Sequence, residues 1–275
     1  FRKIAVMTGD PFRRSSLARP DGASGRVNSV APTDASRRSY SRWSRSAATE
    51  LTALFAIGSC VYGVGVYGFT QILQPLSVEY AWDRTTVGAA MAAFWLAAPV
   101  ALAAEGVIGR FGTRAVLLVG GMITAVALML IAWVHDAASL FALRFLMGCG
   151  KSLMAVAITV TLVARHGTRS SLAVAVALCG WHFGGVWAVP LIEHAARTAG
   201  WRNAALLGGA TIGFVTVVIS QLIRPVSDRA RPGAERICAD HPTRRLRLWS
   251  LHICTLCLYS AYGALVSHFT PFLSD

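Results

Sequence analysis

Residues 140–163 read LFALRFLMGCGKSLMAVAITVTLV, and this stretch decides the fold. It is long enough to cross a bilayer core, which takes about 20 apolar residues in a helix. It contains no carboxylate and two cations, Arg144 and Lys151. Arg144, Gly148 and Lys151 follow i, i+4, i+7 and so share one helix face. Lys151 lies eleven residues into the stretch, about 16 Å deep at 1.5 Å per residue. That is near the middle of a hydrocarbon layer about 30 Å thick. Arg144 lies at about 6 Å. A cation at the bilayer centre costs about 2.5–3.5 kcal/mol on insertion scales, so it needs a partner or a water-filled cavity.

The same pattern repeats on both sides. Apolar spans run over about 51–73, 86–106 and 115–134 before this stretch, and over 171–192, 204–223 and 249–272 after it. The whole chain of 275 residues is 55% hydrophobic and 14% charged, against about 25% charge in a soluble domain. A soluble enzyme, a disulfide-rich secreted module and a disordered protein are excluded. The fold class is an all-α membrane protein. Residues 1–50 read as a disordered basic tail and 224–248 as a basic connecting loop. Phe12-Arg13-Arg14-Ser15-Ser16-Leu17 looks like a twin-arginine signal, but Arg19-Pro20-Asp21 follows instead of an apolar run. The chain opens on Phe1, and Met7 is a candidate start.

The net charge of +13 suggests nucleic acid until its distribution is considered. With the N-terminus inside, 21 Lys and Arg fall in the inner segments and 3 in the outer loops. Such asymmetry sets membrane orientation, so the N-terminus is expected in the cytoplasm of a plasma-type membrane, with anionic lipid rather than nucleic acid beside the tail. Cys254-x-x-Cys257 has redox spacing, but it lies in an apolar span without a second pair. Five of the six cysteines lie in apolar segments and read as small packing residues. No metal cluster, phosphate loop or cofactor motif is present, and no enzyme activity is expected.

Short motifs sit in the connectors and the glycine-rich spans. Gly109-Arg110-Phe111-Gly112-Thr113-Arg114 joins spans two and three. Arg144-x-x-x-Gly148-x-Gly150 lies in span four, and Gly180-x-x-x-Gly184-Gly185 with Pro190 in span five. Gly at i and i+4 lets helix backbones approach closely. Gly200-Trp201-Arg202 opens span six, and Trp82-Asp83-Arg84-Thr85-Thr86 precedes span two. In this order the motifs resemble the major facilitator superfamily, and the last resembles its monocarboxylate and oxalate/formate porter branch. The resemblance covers about 51–275. In the first motif Glu105 stands where the family has Gly, and Gly109 where it has Asp.

The resemblance implies a six-helix N-terminal bundle, a central loop and span seven as the start of a second half. Since the chain stops at Asp275, it is expected to be a fragment or split product that lacks its C-terminal half and does not transport alone. The resemblance also implies alternating access around a midplane site lined by spans one, four and seven. Lys151 and Arg144 then attract a small organic anion such as a monocarboxylate, by symport or antiport. Tyr62, Tyr67 and Gln71 in span one are either cavity lining or helix–helix hydrogen-bonding groups. Tyr259 and Tyr262 in span seven are candidate substrate contacts. His182 in span five, beside Trp181 and near Trp187, is either a proton-coupling group or a neutral histidine bonded to a neighbouring helix. Glu105, Arg110, Gly112, Arg114, Gly148, Gly180, Gly184 and Pro190 are the gating and structural positions. The competing reading is a seven-helix receptor or sensor. Such receptors usually place the N-terminus outside, and span seven has no lysine for a retinal Schiff base.

Overall fold

A computed structural model describes residues 45–223. Among these residues all regular structure is helical. Six helices are long and apolar enough to cross a membrane: α1, Ser46–Glu79; α2, Arg84–Phe111; α3, Thr113–Trp133; α4, Ala137–His166; α5, Ser170–Ala199; and α6, Trp201–Leu222. Span seven, with Tyr259 and Tyr262, and the segments 1–44 and 224–248 lie outside the described residues.

Four of the helices exceed their apolar runs at both ends, and α3 and α6 do so only at the start. Helix α1 starts within the segment whose composition suggested a tail, because Glu50 is buried and forms an ion pair with Arg165 at 3.4 Å. It also continues through Pro75 to Glu79, past the end of the apolar run near residue 73. Pro in a helix interior removes one backbone bond. Here burial of Leu73 and Leu76 on either side holds the helix to the bundle.

Helix α2 is broken at residues 97–99 into Arg84–Leu96 and Val100–Phe111. Pro99 has no N–H to give Trp95, and the Trp95 carbonyl accepts from the Ala98 N–H at 3.0 Å instead. Across the break, Ser152 of α4 donates to the Ala97 carbonyl at 3.3 Å. Helix α1 is interrupted differently, by a π-helical stretch over Gly63–Gly68. Such insertions gather at functional sites.

The two tightest connectors share one device. Gly112 joins α2 to α3 with φ 81° and ψ 160°, and Gly200 joins α5 to α6 with φ 84° and ψ 156°. Side-chain-bearing residues hardly reach this region, so one Gly reverses the chain. The starts of α2 and α4 are capped by carboxylates. Asp83 accepts from the Thr86 N–H at 2.9 Å, and Asp136 from the Ser139 N–H at 3.1 Å.

Helix α1 packs mainly on α5 and α6, α3 on α4 and α6, and α4 on α2. Small residues bring the backbones together. A Cβ added to Gly63 would lie 2.6 Å from the Gly184 carbonyl oxygen, and one on Gly180 would lie 2.8 Å from that of Phe55. Gly148 meets the Phe94 carbonyl of α2 in the same way, and Gly150 meets Gly120 of α3. Close packing of this kind holds helices together where the solvent is itself apolar.

Candidate functional site

Lys151 is the fifteenth of the thirty residues of α4, so it sits at mid-helix. Its side chain is 7% exposed. The ammonium lies over the Trp95 ring at 4.4 Å from the centroid, with Phe94 at 5.2 Å and Tyr62 at 6.0 Å. Desolvated cation–π contacts are worth about 2 kcal/mol, which offsets part of the cost of holding the charge in an apolar interior. Among the described residues no carboxylate pairs with it, since the ion pairs formed there involve Glu50, Glu193 and Glu79.

Four helices build this surround. Tyr62 ends the first α-helical segment of α1, just before the π-helical stretch. It stacks on Trp181 of α5 with ring centroids 4.3 Å apart. Trp181 fits because Gly58 opposite has no side chain: a Cβ there would lie 2.6 Å from the indole Nε1. Trp95 and Phe94 come from the end of the first half of α2, where Pro99 breaks the helix. Sequence reading passed over both, because an aromatic pair inside an apolar run is indistinguishable from lipid-facing bulk.

Arg144 has different surroundings. It is completely buried. Its Nη1 donates to the Gly65 carbonyl at 3.0 Å, within the π-helical stretch of α1. The sulfurs of Met147 and Met91 lie at 3.8 and 3.6 Å from its nitrogens. The guanidinium lies over Phe69 at 3.9 Å and Phe94 at 4.6 Å. Its donors are thus largely directed at the bundle, where it joins α1, α2 and α4. Phe94 touches both cations, so Lys151 and Arg144 share one aromatic wall.

A second pair lies on α1 and α5. The Tyr67 hydroxyl is 2.7 Å from His182 Nδ1. Tyr67 is half-buried and His182 is exposed. Gln71, one turn on, donates to the Thr70 hydroxyl at 3.3 Å. Nearby, Trp187 Nε1 donates to the Ser59 hydroxyl at 3.0 Å, a further α5–α1 bond.

The remaining motif residues sit at the helix ends and crossings. Glu105 and Arg110 are exposed, with Arg110 over the Phe111 ring at 5.6 Å. Arg114 at the start of α3 donates to Gln221 of α6. Gly112 forms the positive-φ turn, Gly180 and Gly184 face α1, and α5 runs on through Pro190. At the opposite end of the bundle, Arg202 pairs with Glu79 at 2.7 Å and Trp201 Nε1 donates to the same carboxylate at 2.6 Å. The Tyr80 hydroxyl accepts from Arg202 at 3.2 Å and lies 3.1 Å from His135 Nδ1. That cluster went unread because its members are scattered over three connectors.

Six apolar spans and backbone crossings built on glycine define a multi-pass membrane protein, with a cation buried at mid-helix in α4. The model of the Major Facilitator Superfamily matches residues 55–275, and the chain belongs to that family. Over 180 residues it is 31% identical to Monocarboxylate transporter 11 of Mus musculus. The aligned part is 64% of this chain and 39% of that relative, so the chain spans about two fifths of the relative's length. This is a family of transporters rather than of enzymes, and it does not favour the seven-helix receptor.

Proposed function

We propose that this protein is a secondary active transporter for a small organic anion, of the monocarboxylate type, working by alternating access. The observation that carries the reading is Lys151, a mid-helix ammonium surrounded by aromatic faces with no carboxylate partner among the described residues. A substrate carboxylate supplies the missing counter-charge. Charge-assisted bonds are stronger than cation–π contacts, so the ammonium turns from Trp95 toward the anion when it arrives. Similarity to a monocarboxylate transporter supports the same class of anion.

In this reading the described bundle is one of two that rock about the site, and the N-terminus faces the cytoplasm, as the distribution of Arg suggests. Arg144 positions α1 against α4 beside the site. The Tyr67–His182 pair is the group placed to take up a proton with the substrate. Gly112 and the Arg114–Gln221 contact hold one end of the bundle during rocking.

The test is uptake of labelled pyruvate into proteoliposomes that hold this bundle together with its second half. Lys151→Gln should abolish it, and Lys151→Arg should retain part. Equal uptake by the wild type and Lys151→Gln would exclude the anion site.

A further inference from the structure

Resting on the anion-site reading, the surroundings of Lys151 also limit the anion's body. The ammonium has aromatic rings from two helices around it: Trp95 and Phe94 from α2, and Tyr62 from α1. Tyr62 is backed by the stacked Trp181 of α5. A carboxylate that reaches Nζ therefore brings the rest of its molecule against ring faces and edges. A hydrated polar body loses its water there without gaining hydrogen bonds, whereas a flat apolar body gains contact with the rings.

The number of charges follows from Arg144. It is the other cation within α4, the eighth of its thirty residues, and its terminal nitrogens face the Gly65 carbonyl and two methionine sulfurs, with the guanidinium against the Phe69 and Phe94 rings and Nε buried without a hydrogen-bond partner. It is also fully buried, whereas Lys151 keeps 7% of its surface exposed. Among the described residues one cation is left to meet substrate, which matches one carboxylate.

We infer that the site selects monoanions with a planar apolar body, the aryl-substituted carboxylates, and that Trp95 is the specificity-determining residue. The Trp95 ring lies nearest the ammonium, at 4.4 Å, and its carbonyl accepts from the Ala98 N–H at the Pro99 break.

The experiment is calorimetric binding of phenylpyruvate, pyruvate and succinate to the full chain in nanodiscs, for the wild type, Trp95→Leu, Trp95→Phe and Lys151→Gln. An added aromatic contact is worth about a three- to tenfold change in affinity. The wild type should bind phenylpyruvate tighter than pyruvate by about that factor and show no succinate binding. Trp95→Leu should bring the ratio close to one, and Trp95→Phe should keep most of it. Should Trp95→Leu not fold, the wild-type ratio and Trp95→Phe decide. A wild-type ratio at or below one, or strong succinate binding, overturns the inference. If pyruvate binds through Lys151 without aryl preference, the anion site stands and the selectivity falls. If no anion binds, or binding is indifferent to Lys151→Gln, both fall.

Discussion

The Tyr67 hydroxyl lies 2.7 Å from His182 Nδ1, and so joins two residues 115 positions apart in sequence. The bond crosses from the π-helical stretch of α1 to the middle of α5. It places the one mid-span imidazole among the described residues where a change of protonation acts on α1, the helix that also supplies Tyr62 to the Lys151 site.

If this pair takes up the coupled proton, the pH profile of uptake belongs to it. Histidine changes charge in the range of about pH 5 to 8. His182→Ala should flatten the dependence of initial uptake rate across that range. Tyr67→Phe should retain a dependence, since the imidazole remains. An unaltered profile in His182→Ala would remove the proton role.

The glycine crossing between α1 and α5 gives a stability prediction. At Gly63 a Cβ would meet the Gly184 carbonyl at 2.6 Å, whereas at Gly106 nothing lies within 4 Å. Overpacking costs about 1–3 kcal/mol. Gly63→Val should lower the melting temperature in detergent, and Gly106→Ala should leave it within a degree or so of the wild type, about the scatter of a surface change. Equal melting of both variants would show that the helices are free to separate.

Much of the architecture could be read directly from residue pattern. Apolar runs locate the six described spans, and the i, i+4 spacing of Gly180 and Gly184 together with the family resemblance marks a close helix crossing. Span ends were less legible. Glu50 argues against an apolar span and Pro75 against a helix interior, yet α1 runs through both, with Glu50 paired to Arg165 and Leu73 and Leu76 buried beside Pro75. Of the site, Lys151 stood out because a charge in an apolar run is costly. Trp95 and Phe94 did not, because their role depends on contacts with Lys151 of another helix. Arg144 and Lys151 look alike in sequence, sharing a face, and only the opened turn at Gly65 distinguishes their partners.

That difference predicts distinct phenotypes. Removing Arg144 leaves the Gly65 carbonyl without its donor, and an unsatisfied buried polar group costs about 1–3 kcal/mol. Arg144→Met should lower the melting temperature measurably. Lys151→Gln removes a charge that has no carboxylate partner among the described residues and should melt at or above the wild-type value. The reverse order of stabilities would contradict the roles assigned to the two cations.

The helix caps respond to acid. Hydrogen bonds from Thr86 hold the Asp83 carboxyl below the usual carboxylate range, and those from Ser139 do the same for Asp136. A lowered value in the folded state means the stabilisation is present above the ordinary carboxylate pKa and is lost as pH falls through the lowered one. The wild type should therefore lose melting temperature on acidification below about pH 4. The double variant Asp83→Asn, Asp136→Asn keeps neutral caps and should lose less, as differential melting curves would record.

The central claim, that Lys151 is the charge which binds the anion, is tested most directly by the affinity for pyruvate of wild-type and Lys151→Gln protein in nanodiscs at neutral pH, with melting temperature measured on the same samples. Loss of a charge-assisted bond predicts weakening of roughly tenfold to a hundredfold, with melting no lower than the wild type. Equal affinities with intact folding would contradict it.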